Sequence, residues 1–225
     1  MRFWKITVAQ AAALVTVATS AQQPSPQTAA LLAAVPQAAC ELHVWPGNGL
    51  RSVYYGWFHG GIVDGAVNGR QGYPAVPKDP VPTELQAELL AKAGLPALLG
   101  KTGYAIILHP EALDSRTIRT TAGRITAAPT SCYAELMVDD MFFQQDVFSG
   151  GYLKSTLRFR DFGDGTAPLR VFGTSVSTRL THFPPKPDRP QDNEAALSEI
   201  RAAFATNIAL FGKALASPLK PGKRP

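Results

Sequence analysis

The chain has 225 residues, 22 Lys and Arg against 17 Asp and Glu, a formal net charge of +5 and two cysteines. That length supplies one full-sized hydrophobic core or at most two small ones. The charge excess is mild and sits mostly in the tail, at Lys213, Lys220, Lys223 and Arg224, rather than as the basic stripe of a nucleic-acid binder, so no nucleic-acid partner is expected.

Met1–Ala21 has the form of a secretory signal peptide. Arg2 and Lys5 make a positive start, Ile6 to Val17 is mostly small and apolar, and Ala18-Thr19-Ser20-Ala21 offers small residues for cleavage. The apolar run of about 12 residues is well short of the ~20 needed to cross a bilayer, and no later run is longer. No transmembrane segment is therefore expected, and the mature protein is expected to be periplasmic or secreted. Loss of Arg2 and Lys5 leaves a mature net charge of +3. Ala38 and Ala39 precede Cys40 as in a lipidation signal, but the position three before the cysteine is the polar Gln37, and Pro36 interrupts the apolar stretch. An exported chain meets an oxidising compartment, where the single pair Cys40 and Cys132 is expected to form a disulfide.

Residues 22–39 are rich in Ala, Gln and Pro and read as a flexible leader, residues 40–216 as a single domain, and residues 217–225 as a basic disordered tail. Within the domain, Glu41 to Pro46 predicts a short strand. In the next segment Leu50, Val53, Tyr54, Trp57, Phe58, Gly61 and Ile62 recur at helical spacing among several glycines. Each glycine costs a helix up to about 1 kcal/mol. A closely packed glycine-rich helix is still favoured here over an ordered loop, with Gly61, Gly65 and Gly69 as a flat ridge against protein. Gly72 to Pro82 is a proline-rich connector. Thr83 as N-cap with Gln86 three residues on reads as a capping box, Glu88 and Lys92 add a helical pair, and Gly94 and Pro96 stop the helix.

Tyr104 to His109 predicts a strand and Glu111 to Ser131 a polar loop. Cys132 to Phe148 alternates, with Ala134, Leu136 and Val138 on one face and Tyr133, Glu135 and Met137 on the other. After the turn Ser149-Gly150-Gly151, Leu153, Ser155, Leu157 and Phe159 share a face opposite Arg158 and Arg160. Asp164-Gly165 turns the chain into a third strand carrying Phe172, Thr174, Val176, Thr178 and Leu180. Beyond the break at Pro184 to Pro190, Leu197, Ile200, Phe204, Ile208, Phe211 and Leu215 stripe one face of a final helix that starts at Asp192 or Asn193. The expected fold is α+β, with a single mixed sheet that contains a three-stranded antiparallel meander and has helices packed on it.

Few residues carry recognisable chemistry. Asp139 and Asp140, adjacent in a strand, are expected on opposite faces and so not as a carboxyl dyad. Asp161 and Asp164 flank a turn and supply too few oxygens for calcium. His43, His59, His109 and His182 lack ligand spacing, so no metal and no cofactor are expected. No serine sits in a nucleophile elbow, and a disulfide-bonded cysteine is no nucleophile. Two groups are candidates for ligand binding. Arg116, Arg119 and Arg124 lie among the hydroxyls of Ser115, Thr117, Thr120 and Thr121, a combination suited to carboxylate or phosphate. Tyr54, Trp57 and His59 form an aromatic segment suited to a groove or a protein contact.

Glu41 to Pro46, Tyr104 to Pro110, Tyr133-Ala134-Glu135-Leu136-Met137-Val138-Asp139, Thr156 to Gly163 and the last helix follow one another in an order that resembles small envelope proteins of the TolB N-terminal-like and CsgG-like group. The glycine-rich segment and the cysteine pair depart from that pattern. The resemblance implies a non-enzymatic periplasmic role in assemblies and carries over no functional residue. The expected function is binding or assembly in the bacterial envelope, with an envelope protein or a second copy of the chain as partner. A secreted hydrolase with a dispersed active site is the alternative.

Overall fold

A computed structural model of the chain describes residues 40–55, 62–63, 76–128, 130–146, 149–186 and 188–217. The signal peptide, the whole leader, the tail from Pro218 on, Trp57, His59 and the ridge Gly61, Gly65 and Gly69 lie outside the described residues. Among the described residues seven strands form one mixed sheet: β1 Cys40–Trp45, β2 Arg51–Tyr55, β3 Ile62–Val63, β4 Ala105–Leu108, β5 Cys132–Asp146, β6 Gly150–Gly163 and β7 Arg170–Leu180. Among the described residues four α-helices accompany them: α1 Thr83–Lys92, α2 Leu95–Leu98, α3 Ser115–Thr120 and α4 Asn193–Ala216. The fold is α+β, and β5–β6–β7 is the expected antiparallel meander.

The long strand β5 organises the sheet. β6 runs antiparallel along one edge of it. Along the other edge lie two short strands end to end, both parallel to β5: β1 against Cys132–Met137 and β2 against Phe142–Asp146. β4 flanks β1 in parallel, and β3 flanks β2 antiparallel. The interruption between β1 and β2, residues 46–50, faces the stretch of β5 where the register with β6 shifts between Val138 and Asp140. Gly47 sits so close to β5 there that a Cβ would lie 2.9 Å from Val138 Cγ1 and 3.0 Å from its carbonyl oxygen, so a side chain has no room.

The start of α1 secures this interruption, and here the capping-box expectation is corrected. Thr83 is the first helical residue, Pro82 precedes it, and no side chain caps the helix. The Thr83 hydroxyl donates to the Gly47 carbonyl at 3.2 Å. Gln86 accepts from the Gly47 N–H at 2.9 Å and donates to the carbonyls of Asn48 and Val81. The spacing that suits a cap serves a tertiary clamp instead, because the buried backbone groups around Gly47 must be paired somewhere.

The glycine-rich helix is also corrected where the chain is described. Arg51–Tyr55 is a strand, with Ser52 and Tyr54 buried on one face. The run Val53-Tyr54-Tyr55 favours a pleated surface, and each glycine in the sequence that follows costs a helix up to about 1 kcal/mol. The loop expected over 111–131 holds α3, whose N-cap Asp114 accepts from the Thr117 N–H at 2.8 Å. That signal was present in the sequence and belongs to the ordinary cap pattern.

One face of the sheet, the inner face, carries the main core. Leu42, Val44, Ala134, Leu136, Leu153, Leu157 and Phe159 pack there against the helices. From α4 come Ala196, Ile200, Phe204, Ile208, Phe211 and Leu215, while Leu197 is only half-buried. Gly212 of α4 lets α2 approach so closely that a Cβ would lie 2.3 Å from Leu98 Cγ. Asn207, fully buried, ties α4 to the meander through the Leu153 carbonyl and the hydroxyls of Ser155 and Thr178. Glu199 of α4 accepts from the Thr181 hydroxyl and from the backbone N–H groups of Thr181, His182 and Phe183, which fixes the chain as it leaves β7. Burial opposes its charge, but these hydrogen bonds prevail and hold its carboxyl below the usual range.

Cys40 and Cys132 form the expected disulfide. They are direct neighbours in the β1–β5 ladder, with Cα atoms 4.4 Å apart, so the bridge ties together the first residues of two central parallel strands.

Candidate functional site

The opposite, outer face of the sheet is unusually polar, and the local chain geometry explains why. Tyr133, Glu135 and Met137 alternate onto this face from β5, as Arg158 and Arg160 do from β6. Its end nearest the disulfide is roofed by α3 and the segment after it. Ile118 packs there on Trp45 and Met137, with Leu113 and Ile125 around them. Beneath this roof Glu135 is fully buried. It accepts from the Tyr133 hydroxyl at 2.9 Å, the Ile125 N–H at 2.7 Å and Arg160 Nε at 2.7 Å. Burial, reinforced by the Glu135 charge and hydrogen bond, pushes the Tyr133 hydroxyl well above its ordinary pKa.

Beside this network the parallel β1–β4 register brings together two histidines that are 66 positions apart in sequence. His43 Nε2 donates to Glu41 Oε2 at 3.1 Å, and His43 Nδ1 lies 2.9 Å from His109 Nε2. The His109 ring stacks flat on Trp45, with centroids 4.1 Å apart and planes 2° from parallel. Desolvation, then the neighbouring His43, lower the pKa of His109. Among the described residues no group of three or more His, Cys, Asp or Glu converges as metal ligands.

At the interruption the expectation for Asp139 and Asp140 is corrected. The register shift makes Asp139 an extra residue in β5, and such a bulge breaks strict alternation. Both carboxylates therefore reach partners on the outer face. Asp139 accepts from the Ser115 hydroxyl at 2.6 Å and from Arg158 Nε at 2.7 Å, with Arg119 at 3.6 Å. Asp140 pairs with Arg51. They are not a dyad sharing a proton: each is neutralised by its own arginines. Burial would raise the Asp139 carboxyl, but the Ser115 and Arg158 hydrogen bonds and the nearby arginine charges outweigh it and hold the pKa low.

The three candidate arginines do not converge on one pocket. Arg116 is exposed on α3, and Arg119 leans toward Asp139. Arg124 is committed to the carbonyls of Gly165, Ala128 and Gly163 and lies over the Tyr133 ring. It borders an open depression of about 700 Å³ lined by Gly123 to Ala128 and Thr166. Tyr54 is buried edge-on against Phe143 in the core.

β7 presents a different kind of surface. It is 11 residues long and pairs only with β6, so among the described residues its other backbone edge is open. α4 covers its inner face, while Val171, Gly173, Ser175, Ser177 and Arg179 are exposed on the outer face. Leu169 is 74% exposed and Val171 62%, the two most exposed large hydrophobic residues described. The β6–β7 register runs without a bulge from Arg170 to Leu180.

No family model and no curated protein matches this chain. Among solved structures, an uncharacterised protein superposes with a TM-score of 0.36 and 9% identity over 81% of this chain and 95% of that one. The uncharacterised protein XCC0632 from Xanthomonas campestris, of the DUF330 family, gives 0.37 and 11% over 81% and 85%. Neither likeness bears on function or on the resemblance to the TolB N-terminal-like and CsgG-like group.

Proposed function

We propose that this chain is an extracytoplasmic protein of the bacterial envelope that acts by binding or assembly, with the open edge of β7 as its docking surface. The secretory-type N-terminus and the Cys40–Cys132 disulfide support the compartment. No helix among the described residues is long and apolar enough to cross a membrane. One observation carries the mode of action. Edge strands of soluble proteins are ordinarily short, bulged or guarded by charged side chains, lysine above all, and by proline. β7 is long and regular, has no lysine or proline, carries its two charges, Arg170 and Arg179, only near its ends, and exposes two aliphatic side chains at its head. Its backbone donors and acceptors can extend the sheet into a bound strand.

A photo-activatable residue at Ser175 or Ser177, in chains expressed in the native bacterium, tests this reading. Discrete adducts in the envelope fraction are expected. Chains that remain in the cytoplasm with Met1–Ala21 attached, or that give no adduct from β7, would overturn it.

The Glu41–His43–His109 chain favours the second reading, a secreted enzyme. A carboxylate that orients one imidazole against another is a general-base arrangement. Loss of a hydrolytic activity on His109→Gln in otherwise stable protein would support that reading.

A further inference from the structure

We infer that the occupant of the β7 edge is a second copy of this chain, its β7 antiparallel to the first about a two-fold axis through Ser175. The inference rests on the reading of β7 as a docking edge and names its partner.

A strand that pairs with its own copy across a two-fold axis runs antiparallel to it, and directly opposed residues share a face. With Ser175 on the axis, Thr174 meets Val176 of the second copy, Gly173 meets Ser177, and Phe172 meets Thr178. Helix-side residues thus meet helix-side residues, and outer-face residues meet their like. Threonine against valine and threonine against an aromatic ring are favourable cross-strand pairs. On the outer face the centre is Gly173, Ser175 and Ser177, small and uncharged, so the edges close without burying a charge.

The two charges of the strand decide between occupants. Arg170 and Arg179 lie on opposite faces of β7, so no face-matched register sets one against the other. In the Ser175-centred register Arg179 meets Val171 and Arg170 meets Leu180. The methylenes of Arg179 then cover the exposed Val171 of the second copy while the guanidinium stays in water. Arg170 already donates to the Leu215 carbonyl at 2.6 Å, so its charge is turned to its own helix. Another extended segment would need an aliphatic residue opposite each arginine and small residues between, and β7 itself carries that pattern.

The test uses the exported protein with its native disulfide. Both native cysteines are bridged, so a new thiol is unique. Light scattering is expected to give twice the chain mass. Ser175→Cys should cross-link between copies under mild oxidation, because antiparallel neighbours at about 4.5–5.5 Å between Cα atoms are within disulfide reach. Ser177→Cys, which meets Gly173, should not. A dimer in which Ser177→Cys links as readily as Ser175→Cys would overturn the register and with it the inference. A monomer whose photo-adducts in the envelope have another mass would overturn self-pairing but keep β7 as a docking edge. A monomer without adducts would overturn both.

Discussion

His43 Nδ1 and His109 Nε2 lie 2.9 Å apart, with Glu41 on the far side of His43 and Trp45 stacked on His109. Only one proton fits between the two nitrogens, so a second charge on the pair is resisted. His109 binds its proton more weakly in the folded chain than in the unfolded one. Its contribution to stability is therefore complete above the ordinary histidine pKa of about 6.5 and lost as pH falls through the lower folded value. Urea midpoints should decline on acidification through that window, and His109→Gln should flatten the decline. An unchanged slope in the variant would remove the pair from the account.

Asp139 acts at lower pH and with the carboxylate sign. Its depressed pKa supplies stability above the ordinary aspartate value of about 3.9, which is lost as pH falls through the folded value. Asp139→Asn strips Arg158 and Arg119 of their counter-charge. Both arginines are partly solvated, so the cost should be about 1–3 kcal/mol, less than for a fully buried pair. The midpoint difference from the parent chain should vanish in strong acid, where the parent's Asp139 is protonated and as uncharged as the asparagine.

Gln86→Ala should free the Gly47 N–H and the carbonyls of Asn48 and Val81 together. A buried backbone group left unpaired costs about 1–3 kcal/mol. Hydrogen exchange at Gly47 should accelerate while that of β6 does not. Gln86→Glu should not rescue the clamp, because a carboxylate cannot donate to the two carbonyls.

Removing the bridge by Cys40→Ser with Cys132→Ser frees a loop whose ends are 92 positions apart. The chain-entropy account assigns such a loop roughly 4–5 kcal/mol. Intact mass of exported protein should show two hydrogens fewer than the reduced chain, and the double variant should unfold at markedly lower urea.

Phe204 is fully buried between α4 and the sheet. Phe204→Ala should cost about 3–5 kcal/mol. An unchanged midpoint would mean that α4 is peripheral to the fold.

The meander and α4 were legible because their hydrophobic periods of two and of three to four persist over many residues, and both elements bury one face on the inner core. β2 was not legible: five residues are too few to separate a strand from the first turn of a helix. Thr83 and Gln86 sit three apart whether they cap a helix or clamp a loop, and only the position of Gly47 decides which. The candidate arginines scattered because one loop supplied all three while their partners, Asp139 and the carbonyls of Gly163 and Gly165, belong to the meander.

Local patterning alone therefore determined the α+β class, the meander, the closing helix and the cysteine pair, each of which depends on residues near one another or on there being only two candidates. Tertiary structure decided what the outer face presents. The His43–His109 contact needs the parallel β1–β4 register. The shared face of Asp139 and Asp140 needs a bulge opposite an interrupted neighbouring strand, and the open edge of β7 needs the order of the strands. None of these is set by a residue and its near neighbours: alternation names the two faces of a strand, and only pairing between distant strands determines what lies beside each face.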